Sequence, residues 1–169
     1  MTPAISEPQA RVTTLVVCLG NEHRGDDGFG PLVAQSLGAE PAPATKVITH
    51  RGDALSLIDL WSGCDCVILV DAIDVECAPG TVLRFDLSEH TVPLEFGGTS
   101  SHALGPGGSI EIARALALLP PRIEVVAVAA HDFRVGTPVS PQLTAQVEAV
   151  ARLVRAMIGE RHDRAEPGS

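Results

Sequence analysis

The chain has 169 residues, enough for one domain with a buried core and too few for two ordinary ones. Its 45% hydrophobic and 20% charged residues exclude a disordered chain, and with aromatics at 3% the core must be built from Val, Leu, Ile and Ala, which suits a buried parallel sheet. The formal net charge of −9 argues against nucleic-acid binding and leaves no basic patch for an anionic membrane, so neither is expected as a partner.

In chain order, residues 1–10 hold Pro3, Glu7 and Pro8 and no apolar run, and read as a flexible arm rather than a secretory signal. Residues 12–19 (VTTLVVCL) predict a strand, closed by the turn at Gly20-Asn21. Residues 21–27 form a polar loop. Residues 28–37 carry Phe29, Leu32, Val33 and Leu37 at helical spacing, with Pro31 near the first turn and Asp26 or Asp27 as the expected N-cap. Pro41 and Pro43 mark a connection, residues 46–49 a short strand, and residues 53–61 a helix stopped by Ser62-Gly63. Residues 66–70 (CVILV) read as a strand covered on both faces and ending at Asp71. Residues 81–87 alternate like an edge strand after the turn at residues 78–80.

Residues 88–108 form a long glycine-rich stretch of the kind that is often functional. A helix over residues 109–119, a strand over 122–130 and a terminal helix over 141–158 complete the chain. The organisation expected is an arm at 1–10, one α/β domain at 11–158 and a flexible tail at 159–169. No run of about 18 apolar residues marks a membrane span. Cys18, Cys64, Cys66 and Cys77 contain no Cys-x-x-Cys pair, so reduced, mostly buried thiols in a cytoplasmic protein are expected.

Strands alternating with helices predict a three-layer α/β sandwich with a mostly parallel, twisted sheet of about five strands. Such sheets bind ligands outside the carboxyl ends of their strands. That rule selects the loop after the first strand, the end of the 66–70 strand and the glycine-rich stretch. The first loop lacks the Gly-x-Gly-x-x-Gly spacing, and adjacent Asp26 and Asp27 would repel a pyrophosphate. Asp71 directly after a buried strand is costly unless it is paired, hydrogen-bonded or metal-bound. His102 is flanked by small residues that leave room for a partner, whereas His162 lies in the tail. Two carboxylates, Asp26 or Asp27 with Asp71, and the imidazole of His102 suit a borderline divalent metal with one position left open.

Several stretches carry a family resemblance: Leu19-Gly20-Asn21, Asp26-Asp27-Gly28-Phe29-Gly30, Val70-Asp71-Ala72, Ala78-Pro79-Gly80-Thr81 and Ser101-His102 with Leu104-Gly105. In these the sequence resembles the nickel-iron hydrogenase maturation endopeptidases over residues 12–158. The resemblance implies a twisted sheet between helices and a metal-dependent, aspartic-type endopeptidase. Its partner would be the precursor of the hydrogenase large subunit, from which it removes a short C-terminal extension once nickel is installed. It implies Asp27, Asp71 and His102 as metal ligands. The metal is then nickel supplied by the substrate, and no organic cofactor is expected. The first ligand is often Glu in that family, so Asp27 is a shorter variant, and Asp26 would substitute if the loop were shifted. The chain departs from the family at His50-Arg51-Gly52-Asp53, where an Asp-Gly-Gly-Thr-like turn is common, and at His131-Asp132, where a Pro-Glu pair is common.

The chemistry expected is metal-assisted amide hydrolysis, with Asp26 or Asp27, whichever the metal leaves free, as general base. No Gly-x-Ser-x-Gly elbow or His-Glu-x-x-His helix supports a serine or zinc protease. Two rivals remain at the level of sequence. A non-catalytic nickel chaperone would transfer metal without changing its partner's mass. A small-molecule α/β hydrolase would use the acidic residues only as caps.

Overall fold

The structure is a computed structural model that describes residues 13–91 and 106–165. Strand β1 (Thr14–Leu19) is followed by a short 3-10 turn (Gly25–Gly28) and helix α1 (Phe29–Leu37). Strand β2 (Thr45–His50), helix α2 (Ala54–Trp61) and strand β3 (Cys66–Ile73) come next, then strand β4 (Val82–Asp86) and helix α3 (Pro106–Ala115). Strand β5 (Arg122–Ala129), the short helix α4 (Pro141–Thr144) and helix α5 (Val147–Ala165) end the described chain.

The sheet order is β2-β1-β3-β5-β4. All neighbours are parallel except β4, which runs antiparallel along β5. Because β1 and β3 are central, their side chains are buried on both faces, which is why they read as unbroken apolar runs. On one face, Val16 and Cys18 join Phe29, Val33, Val150 and Val154 under α1 and α5. On the other, Leu15, Val17 and Leu19 join Leu57, Trp61, Ile110 and Ala113 under α2 and α3. The five-stranded, mostly parallel sheet between two helical layers is the architecture the alternating pattern foretells.

Several boundaries differ from the sequence reading. Strand β3 continues past Val70 to Ile73, so Asp71 lies within the strand, in register with Ala127. Backbone pairing with β5 is indifferent to side-chain polarity and carries the ladder on. Helix α1 is capped by Gly28, and neither Asp26 nor Asp27 caps it. Asp53 does cap α2, accepting from the Ser56 N–H at 3.1 Å. Helix α3 starts at Pro106, three residues before the expected start, and stops at Ala115 rather than residue 119. Gly107 is buried there, so packing overrides the low helix propensity of a Gly-Gly pair. Helix α5 runs to Ala165, beyond the apolar stripe that ends at Ile158, with exposed Gly159 and Glu160 marking where the helix leaves the core.

Candidate metal and catalytic site

The first loop is built by close approach of main chain to main chain. Gly20 has φ +129, and a Cβ there would sit 1.9 Å from the Asp27 carbonyl oxygen. That contact folds residues 20–27 back on themselves, so the Asn21 N–H reaches both the Asp27 carbonyl (3.1 Å) and Asp27 Oδ2 (3.1 Å). A Cβ on Gly30 would lie 2.0 Å from the Leu19 carbonyl oxygen, so α1 seats directly on the end of β1. The two glycines thereby place Asp27 at the carboxyl edge of the sheet.

Asp71 lies at the same edge on the neighbouring strand β3 and is only 8% exposed. Its Oδ1 accepts the Ala72 N–H at 2.9 Å. Burial, and then the negative charge of Asp27, push its carboxyl up to about 8, against a small opposing effect of the Ala72 amide. The charge of Asp27 therefore reaches Asp71, which keeps its proton at neutral pH. A divalent cation between them would displace that proton and remove the repulsion. Among the described residues no three His, Cys, Asp or Glu side chains come together as a metal set. His102, the expected imidazole ligand, lies outside the described residues.

Asp26 is placed differently. It is 2% exposed, and its Oδ1 accepts the Ser140 N–H at 2.8 Å. Its Oδ2 accepts the N–H groups of His131 (3.3 Å) and Asp132 (3.2 Å). Burial raises its pKa, but the Ser140 side chain and the amides of Ser140, Asp132 and His131 outweigh it and hold the carboxyl below the usual carboxylate value. Further backbone bonds, Asp26 N–H to Asp132 O at 2.7 Å and Gly25 N–H to Thr137 O at 3.0 Å, zip the first loop to the segment after β5. Both oxygens of Asp26 thus hold one loop to another.

Sequence reasoning missed this second loop. His131 Nε2–H donates to the Cys77 carbonyl at 3.1 Å, while Nδ1 faces Asp74 Oδ1 at 3.2 Å. The segments after β3 and β5 are tied together at the rim of the site. Nothing local in the sequence announces it, because the partners stand more than fifty positions apart.

A Ser, a His and an Asp also cluster at the end of β2. The Gly52 N–H donates to His50 Nδ1 at 2.9 Å, so the ring proton is on Nε2, which faces Ser56 Oγ at 2.9 Å. The Ser56 hydroxyl in turn donates to Asp53 Oδ2. Here His50 donates to the serine, the reverse of what a nucleophilic serine requires, so the trio ties the α2 cap to β2.

Comparison with known proteins finds a family and a shared fold. A family profile described as hydrogenase maturation protease matches residues 33–157, a stretch that contains Asp71 and His102 and begins after Asp27. The chain is 29% identical over 98 residues to the hydrogenase 3 maturation protease of Escherichia coli K12, which covers 50% of this chain and 62% of that protein. It is 32% identical over 96 residues to a putative hydrogenase maturation protease of Methanocaldococcus jannaschii, covering 47% of this chain and 61% of that one. The chain thus spans somewhat less than two thirds of the length of these curated relatives. Among solved structures, the hydrogenase maturating endopeptidase HybD from E. coli superposes with a TM-score of 0.75 at 22% identity, covering 88% of this chain and 93% of that one. The NiFe hydrogenase maturation protease HycI from Thermococcus kodakarensis KOD1 gives 0.67 at 20% identity, covering 89% and 95%. At these identities the superpositions show a shared fold.

Proposed function

The chain belongs to the hydrogenase maturation protease family, and from that membership we propose that it is an endopeptidase. It removes a short C-terminal extension from the hydrogenase large-subunit precursor after nickel has been installed. The single observation that carries this reading is the pairing of Asp27 with Asp71 at the carboxyl edge of the sheet, close enough for one charge to raise the other's pKa. Such a pair is poorly stabilised alone and well suited to a cation that arrives with the substrate.

On this reading Asp27, Asp71 and His102 hold the substrate's nickel, which supplies a Lewis acid that polarises the scissile carbonyl. The Asp27 carboxylate, oriented by the Asn21 N–H, would bind the metal through one oxygen and take the proton of the attacking water with the oxygen left free. Asp71, which carries a proton at neutral pH, gives it up as the metal-loaded precursor docks. Asp26 holds the loop through its three amide bonds and leaves the base role to Asp27. Four cysteines present as free thiols, three of them buried, fit a reducing compartment, and the cytoplasm is the site of action proposed. Among the described residues no helix is long and apolar enough to cross a membrane.

Mass spectrometry of the nickel-loaded precursor, with and without the protein, tests the reading. Loss of a C-terminal peptide is expected with the unmodified protein. Asp27→Asn should slow that loss by about 10²–10⁴-fold, the usual contribution of a general base, and His102→Ala should stop it. Full processing by both variants would remove the trio from the mechanism.

A further inference from the structure

Among the described residues strand β2 is an outer strand, paired only with β1. In a parallel ladder the N–H and C=O of one residue face the same neighbour and alternate along the strand. The His50 carbonyl accepts the Gly20 N–H at 2.9 Å, so Lys46, Ile48 and His50 face β1, while Thr45, Val47 and Thr49 face outward. The start of that outer edge is covered, because the Thr45 N–H donates to the Ala42 carbonyl (3.2 Å) and the Val47 N–H to the Ala39 carbonyl (2.8 Å). Beyond it, the Val47 carbonyl and both main-chain groups of Thr49 have no hydrogen-bond partner among the described residues. An outer edge with unpaired groups is a template for another strand.

A groove of about 1070 Å³ lies against this edge, walled on one side by Pro31, Ala34 and Gln35 of α1. Its lining continues through Gly20, Asn21 and Glu22, and Asn21 is the residue that holds Asp27. The open edge therefore borders the loop that carries Asp27. Lys46, the only lysine in the sequence, and Arg51 are exposed along this stretch. Arg51 lines the groove together with Glu22 and Asp53, whereas Lys46 does not line it.

We propose that the outer edge of β2 docks an extended segment of the polypeptide to be cut, added as a further strand. The docking rests on the proteolytic function proposed above. Residues 47–51 present roughly 16 Å of edge at about 3.3 Å per residue, room for a segment of about five residues. Main-chain hydrogen bonds hold such a segment extended with little demand on its sequence.

The test uses the nickel-loaded large-subunit precursor as the probe. Thr49→Pro removes an outward N–H that takes no part in the β1 ladder, and Gln35→Trp fills the groove from an exposed position on α1. Each should lower kcat/KM at least tenfold through KM with kcat retained. Amide exchange at Thr49 should slow at least tenfold in the complex of the precursor with Asp27→Asn. If Thr49→Pro does not fold, Gln35→Trp and the exchange measurement decide. Cleavage by the unmodified protein with unchanged kinetics in the folded variants, or an unprotected Thr49 amide, overturns the docking alone. Absence of cleavage by the unmodified protein overturns the functional reading and the docking with it.

Discussion

Asp71 and Asp26 are both buried carboxylates near one site, yet their surroundings push them in opposite directions. Asp71 has one amide donor and a charged neighbour, so its folded pKa rises to about 8, well above the roughly 3.9 of an unfolded Asp. A raised acid binds more protons in the folded state, so its contribution to stability falls as pH climbs from about 4 through 8. Asp71→Asn keeps the amide bond and removes the charge. It should raise Tm above pH 8, by about 2–4 °C for each kcal/mol recovered, converge with the unmodified protein below pH 4, and lose processing. Thermal melts across that range check it. Asp26 shows the opposite sign. Its folded pKa is lowered, so its contribution is present above the unfolded value and is lost as pH falls through the folded one. Asp26→Asn turns an amide toward backbone donors and should cost roughly 2–3 kcal/mol at pH 7, narrowing below pH 4, as read by urea unfolding. Residue type and position were legible in the sequence here. The division of labour was not, because Asp26 takes its donors from residues more than a hundred positions away.

At the scale of elements, the junction of β1 with α1 carries the site. Gly30 is fixed by proximity: the Leu19 carbonyl occupies the place a Cβ would need. Gly30→Ala should drive α1 away from β1, destabilise the fold by about 1–3 kcal/mol, and lower processing by misplacing Asp27. Denaturant midpoints together with a cleavage assay separate the two effects. The clustering of glycines in residues 20–30 was visible in the sequence, and so was the strand-loop-helix around them. The extent of β3 was not, since an apolar run stops where side chains turn polar whereas a ladder stops where backbone partners end. The start of α3 was hidden for a related reason: Pro106 and a Gly-Gly pair look like loop until a packed helix needs Gly107 buried.

For the whole molecule, the core covers both faces of the sheet with apolar side chains, and each of the two site aspartates accepts a main-chain amide. Folding should therefore be independent of metal. A chelator such as EDTA should leave Tm unchanged within about 1 °C, while a metal that supplied folding energy would lower it steeply on removal. Differential scanning calorimetry with and without chelator decides this.

Composition, apolar runs and alternating strands and helices determined the fold class, because burying both faces of a parallel sheet dictates residue types along each strand. They also singled out Asp71, since a carboxylate directly after a buried strand stands out by cost, while the choice of Asp27 over Asp26 rested on the family resemblance. Only the tertiary structure decided that Asp27 and Asp71 share one electrostatic environment, that Asp26 is a tether, and that the groove along β2 reaches the loop that carries Asp27. Those facts depend on distances between segments far apart in the chain, which no local pattern encodes.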